Sequence, residues 1–355
     1  MFASDNWSGA HPAVSASLSR HAEGFAAAYG TSDLDRAVEA RFDEIFERQV
    51  SVWFVATGTA ANALAMAAVN RPGGVAFAHA EAHVIDSECG AVEYATHGAR
   101  LQPVDGPLGR IDPKLLDAEM GRLKPGRVHD GQPSAVTITQ GTEVGTHYAL
   151  DEVRGIADVA RVHGVPVHMD GARFANALAA TGASPADMTW RAGVDILSFG
   201  GTKNGCWCAE ALVFFDPAMA GHMGFIRKRS AQLFSKTRFV AAQFEAHLDR
   251  GLWLRTAAHA NAMAARLRDA FREAGVRLAW ETTTNEVFAY LDEGRSKTLL
   301  EAGATHAAWT LPRGAPSTPA QGETLCRFVT SFATTDEHLE TVRRALSERV
   351  EAAAA

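Results

Sequence analysis

Two stretches of sequence decide the fold of this chain: VPVHMDGAR at residues 165–173 and VDILSFGGTKNG at residues 194–205. Each begins as a short apolar run, typical of a buried strand, and ends in polar residues, and a helix-length segment separates the two. A strand, a crossover helix and a second parallel strand bring both strand ends to the same edge of a sheet, where α/β proteins bind ligands. We therefore expect Asp170 and Lys203 to lie close together at that edge.

An aspartate and a lysine at one sheet edge are the two groups that pyridoxal phosphate requires. A lysine forms a Schiff base with the aldehyde of this cofactor, and an aspartate keeps its pyridine nitrogen protonated so that the ring can accept electrons. Taken alone, Lys203 would predict a solvated surface charge, and Asp170-Gly171 would predict an ordinary turn. The two strand contexts together favour the cofactor site.

The chain as a whole predicts an α/β fold with a mainly parallel seven-stranded sheet in a large domain. Short apolar runs alternate with helix-length amphipathic segments, and connections of that length join parallel strands. Segment 151–163 illustrates the pattern, since Asp151 can cap a helix there and Gly164 can end it. The seven predicted strands are 52–56, 75–79, 100–104, 135–139, 165–169, 194–199 and 209–215.

After residue 250 the order of predicted elements changes. We interpret residues 251–355 as a smaller α+β C-terminal domain, and residues 1–250 as an N-terminal arm with a large cofactor-binding domain. The predicted elements of the smaller domain are an Ala-rich helix to Glu273, strands near 276–280, 286–291 and 325–332, a helix from Arg295 and a closing helix from Asp336.

Composition narrows the class of protein further. The chain has 355 residues, 47% of them hydrophobic, and a net charge of −7, which argues against a protein that neutralises nucleic-acid phosphates. Its first residues lack the pattern of a secretory signal, and it has no apolar run long enough to cross a membrane. Its four cysteines lack the spacing of a zinc site, so we predict no bound metal and a cytoplasmic location.

Several short motifs resemble, in their order along the chain, those of one enzyme family. They are Ser4-Asp5-Asn6, Tyr29-Gly30, Thr57-Gly58-Thr59-Ala60-Ala61-Asn62, His83, Asp170-Gly171-Ala172-Arg173, Gly201-Thr202-Lys203-Asn204-Gly205 and Arg327-Phe328-Val329-Thr330. With these motifs the chain resembles the L-threonine aldolase and phenylserine aldolase family of fold type I pyridoxal phosphate enzymes, within the beta-eliminating lyase/threonine aldolase superfamily. The resemblance covers nearly the whole sequence and implies a fold type I, transferase-like architecture.

The cofactor contacts follow partly from the predicted elements and partly from this resemblance. Gly58 and Thr59 open a helix after a strand, so their N–H groups can bind the phosphate. The resemblance implies that His83 stacks on the cofactor ring. The loop 139–143 departs from the family pattern, yet Gln140 can still hydrogen-bond near the ring hydroxyl. The predicted cofactor-binding residues are Gly58, Thr59, His83, Gln140, Asp170, Arg173, Lys203, Lys236 and Arg238, the last two reaching across from a partner subunit.

Two arginines are predicted to bind the substrate. The planar fork of a guanidinium matches a carboxylate at two points, so we expect Arg173 and Arg327 to orient an amino acid through its carboxylate. The resemblance implies that Ser4 reaches the same carboxylate. It also implies that His83 and His129 approach the substrate hydroxyl, where a neutral imidazole can accept a proton. The predicted catalytic residues are Lys203, His83, His129 and Asp170, and the predicted substrate-binding residues are Ser4, Arg173, Arg327 and His129.

These assignments predict an aldehyde-lyase that acts reversibly on L-β-hydroxy-α-amino acids. L-threonine, L-allo-threonine or a phenylserine would give glycine and an aldehyde, in a homodimer or homotetramer with shared active sites. Threonine transaldolation, β-elimination and amino-group transfer are alternatives on the same fold. A non-catalytic binding protein on the same scaffold is an alternative of another class, although such proteins often lose the lysine or an arginine. The motifs leave the preferred side chain open.

Overall fold

The computed structural model describes the backbone of residues 1–354 and the side chains of residues 1–347. The strands are β1 Ser51–Val55, β2 Gly74–His79, β3 Arg100–Val104, β4 Gln132–Thr139, β5 Val167–Gly171, β6 Ile196–Gly200, β7 Glu210–Phe214, β8 Arg277–Leu278, β9 Glu286–Asp292, β10 Ala307–Ala308 and β11 Glu323–Val329. The α-helices are α1 Pro12–Arg20, α2 Asp33–Phe46, α3 Gly58–Val69, α4 His83–Asp86, α5 Ala91–Ala95, α6 Pro113–Gly121, α7 Leu150–Val162, α8 Phe174–Thr181, α9 Pro185–Met188, α10 Met223–Arg229, α11 Arg238–Leu248, α12 Leu252–Glu273, α13 Glu293–Glu301 and α14 Asp336–Ala354.

The large sheet confirms the predicted mainly parallel, seven-stranded α/β architecture. Its strand order is β1-β7-β6-β5-β4-β2-β3, and only β7 runs antiparallel to its neighbours. The carboxyl ends of the other six strands therefore meet at one edge, which we call the carboxyl edge. Strand β7 begins at this edge, because Glu210 pairs with both Val55 and Gly200.

The predicted helix at 151–163 forms, but its cap was predicted wrongly. Helix α7 begins at Leu150, with Ala149 as the capping residue. The Glu152 carboxylate accepts a hydrogen bond from the Ala149 N–H at 2.7 Å. Asp151 lies within the first turn and pairs with Arg154 instead. The glutamate in the third helical position, and not Asp151, therefore caps the amino end of α7.

A second, four-stranded antiparallel sheet has the order β10-β11-β9-β8. Helices α12, α13 and α14 pack around it over a separate apolar core. Helix α12 also packs against α8 of the large sheet, so this one helix touches both parts of the molecule. The two sheets agree with the predicted change in organisation, and the domain boundary near residue 250 stays a prediction.

The first residues of the chain join the two sheets. The Phe2 N–H donates to the Thr305 carbonyl at 2.8 Å, and the Phe2 carbonyl accepts from the Val329 N–H at 2.7 Å. The Phe2 ring is completely buried in the core of the small sheet. Three residues later the Asp5 side chain reaches the end of β5, so the N-terminal segment is part of the structure around the carboxyl edge.

A buried histidine links the three central strands that lead to the carboxyl edge. His168 Nδ1 is 2.8 Å from the Thr137 hydroxyl of β4, and Nε2 is 2.8 Å from the Ser198 hydroxyl of β6. Burial lowers the pKa of His168 to about 3, so the ring is neutral and can donate one hydrogen bond and accept the other. This bridge fixes β4, β5 and β6 two residues before Asp170.

Candidate active site

Lys203 and Asp170 both lie at the carboxyl edge, on neighbouring strands. Asp170 is the fourth residue of β5 and is 3% exposed, and Lys203 follows β6 in the short turn Thr202–Asn204. Both charges act on the pKa of His83 and on that of Glu210, which places them around the same small space. Among the described side chains Lys203 has neither a hydrogen-bond nor an ion-pair partner, so its amine is free for a ligand.

A chain of polar side chains runs from Asp170 to His83. Asn62, on the otherwise apolar helix α3, donates from Nδ2 to Asp170 Oδ2 at 2.9 Å and to Glu88 Oε1 at 2.8 Å. Glu88 Oε1 in turn lies 2.9 Å from His83 Nδ1. The Ala172 N–H donates to the other oxygen of Asp170 at 3.0 Å. These bonds fix the orientation of the Asp170 carboxylate and of the His83 ring together.

The same chain sets the charge of His83. Its hydrogen bond to Glu88 raises the pKa of His83 against the opposing effect of burial, and the Glu143 and Asp170 carboxylates add to the rise. Burial raises the pKa of Glu88 as well. A proton shared between His83 and Glu88 is therefore harder to remove than from either group in water. Because Nδ1 faces Glu88, Nε2 is the ring nitrogen left for a ligand.

Two arginines and two carboxylates form a buried cluster beside this edge. Arg173 binds Asp5 at two points, through Nε at 2.8 Å and Nη2 at 3.1 Å, and lies 3.4 Å from Glu286. Arg327 Nη1 is 3.5 Å from the same Glu286, and its guanidinium lies 3.9 Å from the ring centre of Trp309. Burial lowers the pKa of Arg173, but Asp5 and Glu286 outweigh this effect and raise it above its usual value.

Two guanidinium nitrogens in this cluster lack a protein partner. Within the part of the chain with described side chains, Arg173 Nη1 and Arg327 Nε are buried and make no hydrogen bond. A buried charged donor without an acceptor is costly, so a bound group that accepts from these nitrogens would be stabilised there. An amino-acid carboxylate is an acceptor of the right charge and shape for them.

Glu210 lies beneath the lysine turn and was not predicted from the sequence. Its Oε1 accepts from the Thr202 N–H at 3.3 Å. Burial raises the pKa of Glu210 to about 7, an effect that Thr202 and Lys203 oppose. The carboxyl therefore positions the turn that precedes Lys203, and its ionisation opposes folding.

Glu210→Gln should remove a pH-dependent loss of stability. An acid whose folded pKa lies above its unfolded pKa of about 4.5 stabilises the fold below pH 4.5, and this contribution is lost as the pH rises through about 7. At ~1.4 kcal/mol per pKa unit, the variant should be up to about 3 kcal/mol more stable than the wild type at pH 8. Urea unfolding at pH 4.5 and pH 8 measures this, and a constant difference between the two proteins at both pH values would contradict it.

The amino end of helix α3 also faces the carboxyl edge. The Thr57 hydroxyl caps this helix by accepting from the Ala60 N–H at 3.1 Å, which leaves the Gly58 and Thr59 N–H groups in the first turn. A cavity of about 1130 Å³ runs from Thr57 and Thr59 along the outer side of the helix, and Arg229 also lines it. Free N–H groups and a helix amino end favour an anion such as a phosphate.

Four predicted site residues lie elsewhere in this chain. His129 is exposed in the turn that precedes β4, at the opposite end of that strand from the carboxyl edge. Gln140 is completely buried, and its side-chain amide bonds both the N–H and the carbonyl of Tyr148, so it has turned away from the edge. Lys236 is exposed, and Arg238 donates to the Gly24 carbonyl.

Loop register explains the placement of His129 and Gln140. The interpretation of His129 depended on a loose match in the loop before β4, whereas the loop that reaches the edge is the one after β4. That later loop presents Glu143, which sequence reasoning named only as part of a departure from the family pattern. Ser4 lies next to Asp5, and its hydroxyl accepts from the Asn6 N–H at 3.1 Å. The side chains of residues 1–347 contain no group of three His, Cys, Asp or Glu that could hold a metal ion.

Comparisons with known proteins agree with this geometry. The family described as beta-eliminating lyase matches residues 1–294. The low specificity L-threonine aldolase of Pseudomonas aeruginosa is 39% identical over 304 residues, covering 85% of this chain and 87% of that protein. The protein of the same name from a Pseudomonas species is 38% identical, with the same coverage. The solved structure of Leishmania major threonine aldolase superposes with a TM-score of 0.89 at 26% identity, covering 98% of this chain and 99% of the other.

Proposed function

Since the chain belongs to the beta-eliminating lyase family, we propose that it is a pyridoxal phosphate-dependent aldehyde-lyase that cleaves L-β-hydroxy-α-amino acids to glycine and an aldehyde. One observation supports this most strongly. A free lysine and a buried aspartate share the carboxyl edge with two arginines that have unpaired donors. The names of the Pseudomonas relatives support L-threonine as a substrate.

The residues present fit pyridoxal phosphate. Lys203 has a free amine for the cofactor aldehyde, and Asp170 offers a buried carboxylate that Asn62 and Ala172 already orient. The first turn of α3 has the N–H groups of Gly58 and Thr59 for the phosphate. When bound, this cofactor supplies an electron-accepting ring, which stabilises the electron pair left on Cα when a bond to that carbon breaks.

The protein's own groups bind and orient the reactants. Asp170 would hold a proton at the pyridine nitrogen of the bound cofactor, because a buried carboxylate favours a cation beside it. His83, held by Glu88 at Nδ1, presents Nε2 over the same space. The free amine of Lys203 would hold the cofactor through its aldehyde.

The arginine cluster selects which bond breaks. Arg173 Nη1, Arg327 and the Ser4 hydroxyl are the groups that would hold the substrate carboxylate. Fixing that carboxylate at two points would fix the rotation about Cα and so determine which bond to Cα is poised to break. Asp5 and Glu286 hold the two guanidinium groups in place before substrate arrives, which reduces the entropy lost on binding.

A product assay tests the proposed function. Purified protein with added cofactor should release glycine and acetaldehyde from L-threonine, and glycine and benzaldehyde from a phenylserine if the site accepts an aromatic side chain. An oxo acid with ammonia would instead indicate β-elimination, and exchange with a second aldehyde without free glycine would indicate transaldolation. No product from any β-hydroxy amino acid would leave a binding protein as the alternative.

Arg327→Lys is expected to weaken substrate binding and to leave cofactor binding unchanged. Lysine keeps the charge but loses the planar fork and its stacking on Trp309. We expect KM for L-threonine to rise by about tenfold or more, which is the effect of losing ~1.4 kcal/mol. The exposed Arg313→Lys is the matched control and should leave KM unchanged. A variant whose KM equals that of the wild type would make Arg327 a purely structural partner of Glu286.

We infer that the enzyme is a homodimer, or a homotetramer built from such dimers. Lys236 and Arg238 do not reach the carboxyl edge of their own chain, although the resembled family sends a basic residue to the phosphate of a partner subunit. Tyr94 and Phe225 are exposed by 87% and 73%, and Tyr94 lines the cavity beside α3. Large exposed aromatic side chains favour contact with a second copy of the chain.

Mixing two inactive variants should restore activity if subunits share sites. A hybrid of Lys203→Ala with Arg238→Ala contains one site in which both defects coincide and one site with neither. We expect up to about a quarter of the wild-type activity, since random exchange makes half of the dimers hybrid. The same experiment with Lys236→Ala distinguishes the two cations. Failure of both mixtures after proven subunit exchange would exclude a shared phosphate site.

Within residues 1–354 no helix is long and apolar enough to cross a membrane. The cytoplasmic location and the division into two domains stay predictions. A cytoplasmic location is tested by cell fractionation. The independence of residues 251–355 as a domain is tested by limited proteolysis near residue 250.

A further inference from the structure

The loop after β4 presents one acidic side chain, Glu143, to the carboxyl edge. Thr142 and Thr146 close this loop, through a backbone hydrogen bond from the Thr142 N–H to the Thr146 carbonyl at 2.9 Å and a contact between their hydroxyls at 2.8 Å. Thr142 and Val144, on either side of Glu143, are both buried. Glu143, between them, is half-exposed.

The same loop is fixed against the small sheet. The Trp280 indole N–H donates to the Val144 carbonyl at 2.9 Å, and the Thr283 N–H donates to the Gly145 carbonyl at 2.8 Å. Gly145 has a φ of +75°, and a Cβ at this position would lie 2.9 Å from Thr282 Cγ2. The loop is therefore a fixed element, and the position of Glu143 is determined by packing on both sides.

Packing places the Glu143 loop beside both halves of the proposed site: the Gln140 N–H donates to the Asp170 carbonyl at 2.7 Å, and a Cβ at Gly145 would lie 3.2 Å from Glu286 Cβ. The Glu143 carboxylate raises the pKa of His83 and also that of Arg173 and of Glu286. It therefore lies within electrostatic reach of the histidine on one side and of the carboxylate-binding cluster on the other. Among the described side chains it has no hydrogen-bond or ion-pair partner of its own. A substrate held by Arg173 and Arg327 would extend its Cβ substituents between these two groups.

His83 is poorly suited to accept a proton in this arrangement. Glu88 bonds its Nδ1 and favours the imidazolium form, which has no free lone pair. An imidazolium can donate a hydrogen bond to the substrate hydroxyl but cannot take its proton. A carboxylate without a partner is the acceptor that remains at this edge.

We propose that Glu143 is the catalytic base that accepts the proton of the substrate β-hydroxyl, directly or through one water molecule. The proposal rests on the proposed aldolase function. The O–H bond breaks and its electron pair forms the aldehyde C=O bond, while the proton moves to Glu143. The Cα–Cβ bond breaks at the same time, its electron pair remains on Cα, and Cα then takes up a proton to give glycine. In the reverse direction Glu143 returns the proton to the new hydroxyl.

Glu143→Gln tests this assignment because glutamine keeps the size of the side chain but not its basicity. We expect kcat/KM for cleavage of L-threonine to fall by about 100-fold or more, the usual contribution of a general base. Glycine has no β-hydroxyl, so exchange of its α-proton in deuterated water should stay within about threefold of the wild-type rate. Glu143→Asp restores a carboxylate and should recover part of the lost cleavage. Glu119→Gln on α6, at a half-buried glutamate that pairs with Arg122, is the control and should leave both rates unchanged.

A second measurement needs neither substrate nor cofactor. The groups that face His83 are Glu88, Glu143, Asp170 and Lys203. Removing the Glu143 charge should lower the pKa of His83, and NMR titration of the cofactor-free protein measures this directly. The same titration of Glu119→Gln should match the wild type.

The outcomes separate this proposal from the proposed function. Cleavage by Glu143→Gln within about threefold of the wild type would overturn the role of Glu143. Equal losses of cleavage and of glycine exchange would also overturn it, because the residue would then act on the cofactor or on the fold. An unchanged pKa of His83 would show that the two side chains do not face each other. If the wild-type protein releases no glycine from any β-hydroxy amino acid, it is the aldolase function that fails.

Discussion

Lys203→Ala should abolish both the turnover of the enzyme and the visible absorption that the bound cofactor gives with its lysine. Among the described side chains the amine of Lys203 has no hydrogen-bond or ion-pair partner, and Lys203 follows β6 at the carboxyl edge. Without it the cofactor has no covalent attachment and the substrate has no group to displace. We expect kcat to fall by about 10⁴-fold or more, the order found when a covalent catalytic group is removed.

Absorption spectra of the purified proteins with added pyridoxal phosphate check this result. Lys297→Ala, a change on the exposed side of α13, is the matched control and should keep the wild-type spectrum and activity. Reduction with borohydride followed by peptide mapping should place the label on Lys203. A labelled peptide from elsewhere in the chain would refute the assignment.

Asp170→Asn should retain the attached cofactor and lose most turnover. Both oxygens of Asp170 accept hydrogen bonds, one from Asn62 and one from Ala172, and an asparagine can keep only one of them. A neutral amide also cannot stabilise a protonated pyridine nitrogen, so the ring becomes a weaker electron acceptor. We expect a fall in kcat of at least about 10²-fold, similar to that from losing other preorganised electrostatic groups.

The control for this variant is Asp158→Asn on the exposed face of α7, where the aspartate pairs only with Arg161. Spectra and kcat of the three proteins should be compared at one pH. Turnover of Asp170→Asn close to that of the wild type would mean that another group partners the pyridine nitrogen.

The parts of the fold that local sequence determines were predicted well. The central parallel strands β2, β4, β5 and β6 are buried on both faces, so they appear as apolar runs. The observed strands begin or end within a few residues of the predicted ones. Val165 and Val194 were predicted as the first residues of strands, but β5 begins at Val167 and β6 at Ile196. The residues before these strands make loop hydrogen bonds instead of sheet pairs. The Val165 N–H bonds Ala160, and Asp195 accepts from Val167. The two-residue strand β10 has no detectable pattern, since its pairing depends on β11.

The site divides in the same way between local and long-range information. Lys203 and Gly58 follow strands and Asp170 lies near the end of one, so their common edge could be predicted from the sequence. Asp5 and Glu286 join the cluster only because distant segments meet, and no local pattern indicates such a contact. Two signals were present in the sequence. Asn62 in the apolar helix α3 and Glu286 at the start of the apolar strand β9 are polar residues at positions where the surrounding pattern favours apolar ones.

The attachment of Phe2 and Asp5 has a consequence for how the protein forms during synthesis. A ribosome makes these two residues long before the segments that they contact, since Phe2 pairs with Thr305 and Val329, and Asp5 binds Asn285 as well as Arg173. The growing chain cannot close these contacts until the strand that ends at Val329 has left the exit tunnel. The large sheet can assemble early, but its arginine must wait for Glu286 as a counter-ion. Translation that stalls before this strand would therefore leave a nascent protein with a formed cofactor edge and no completed substrate site.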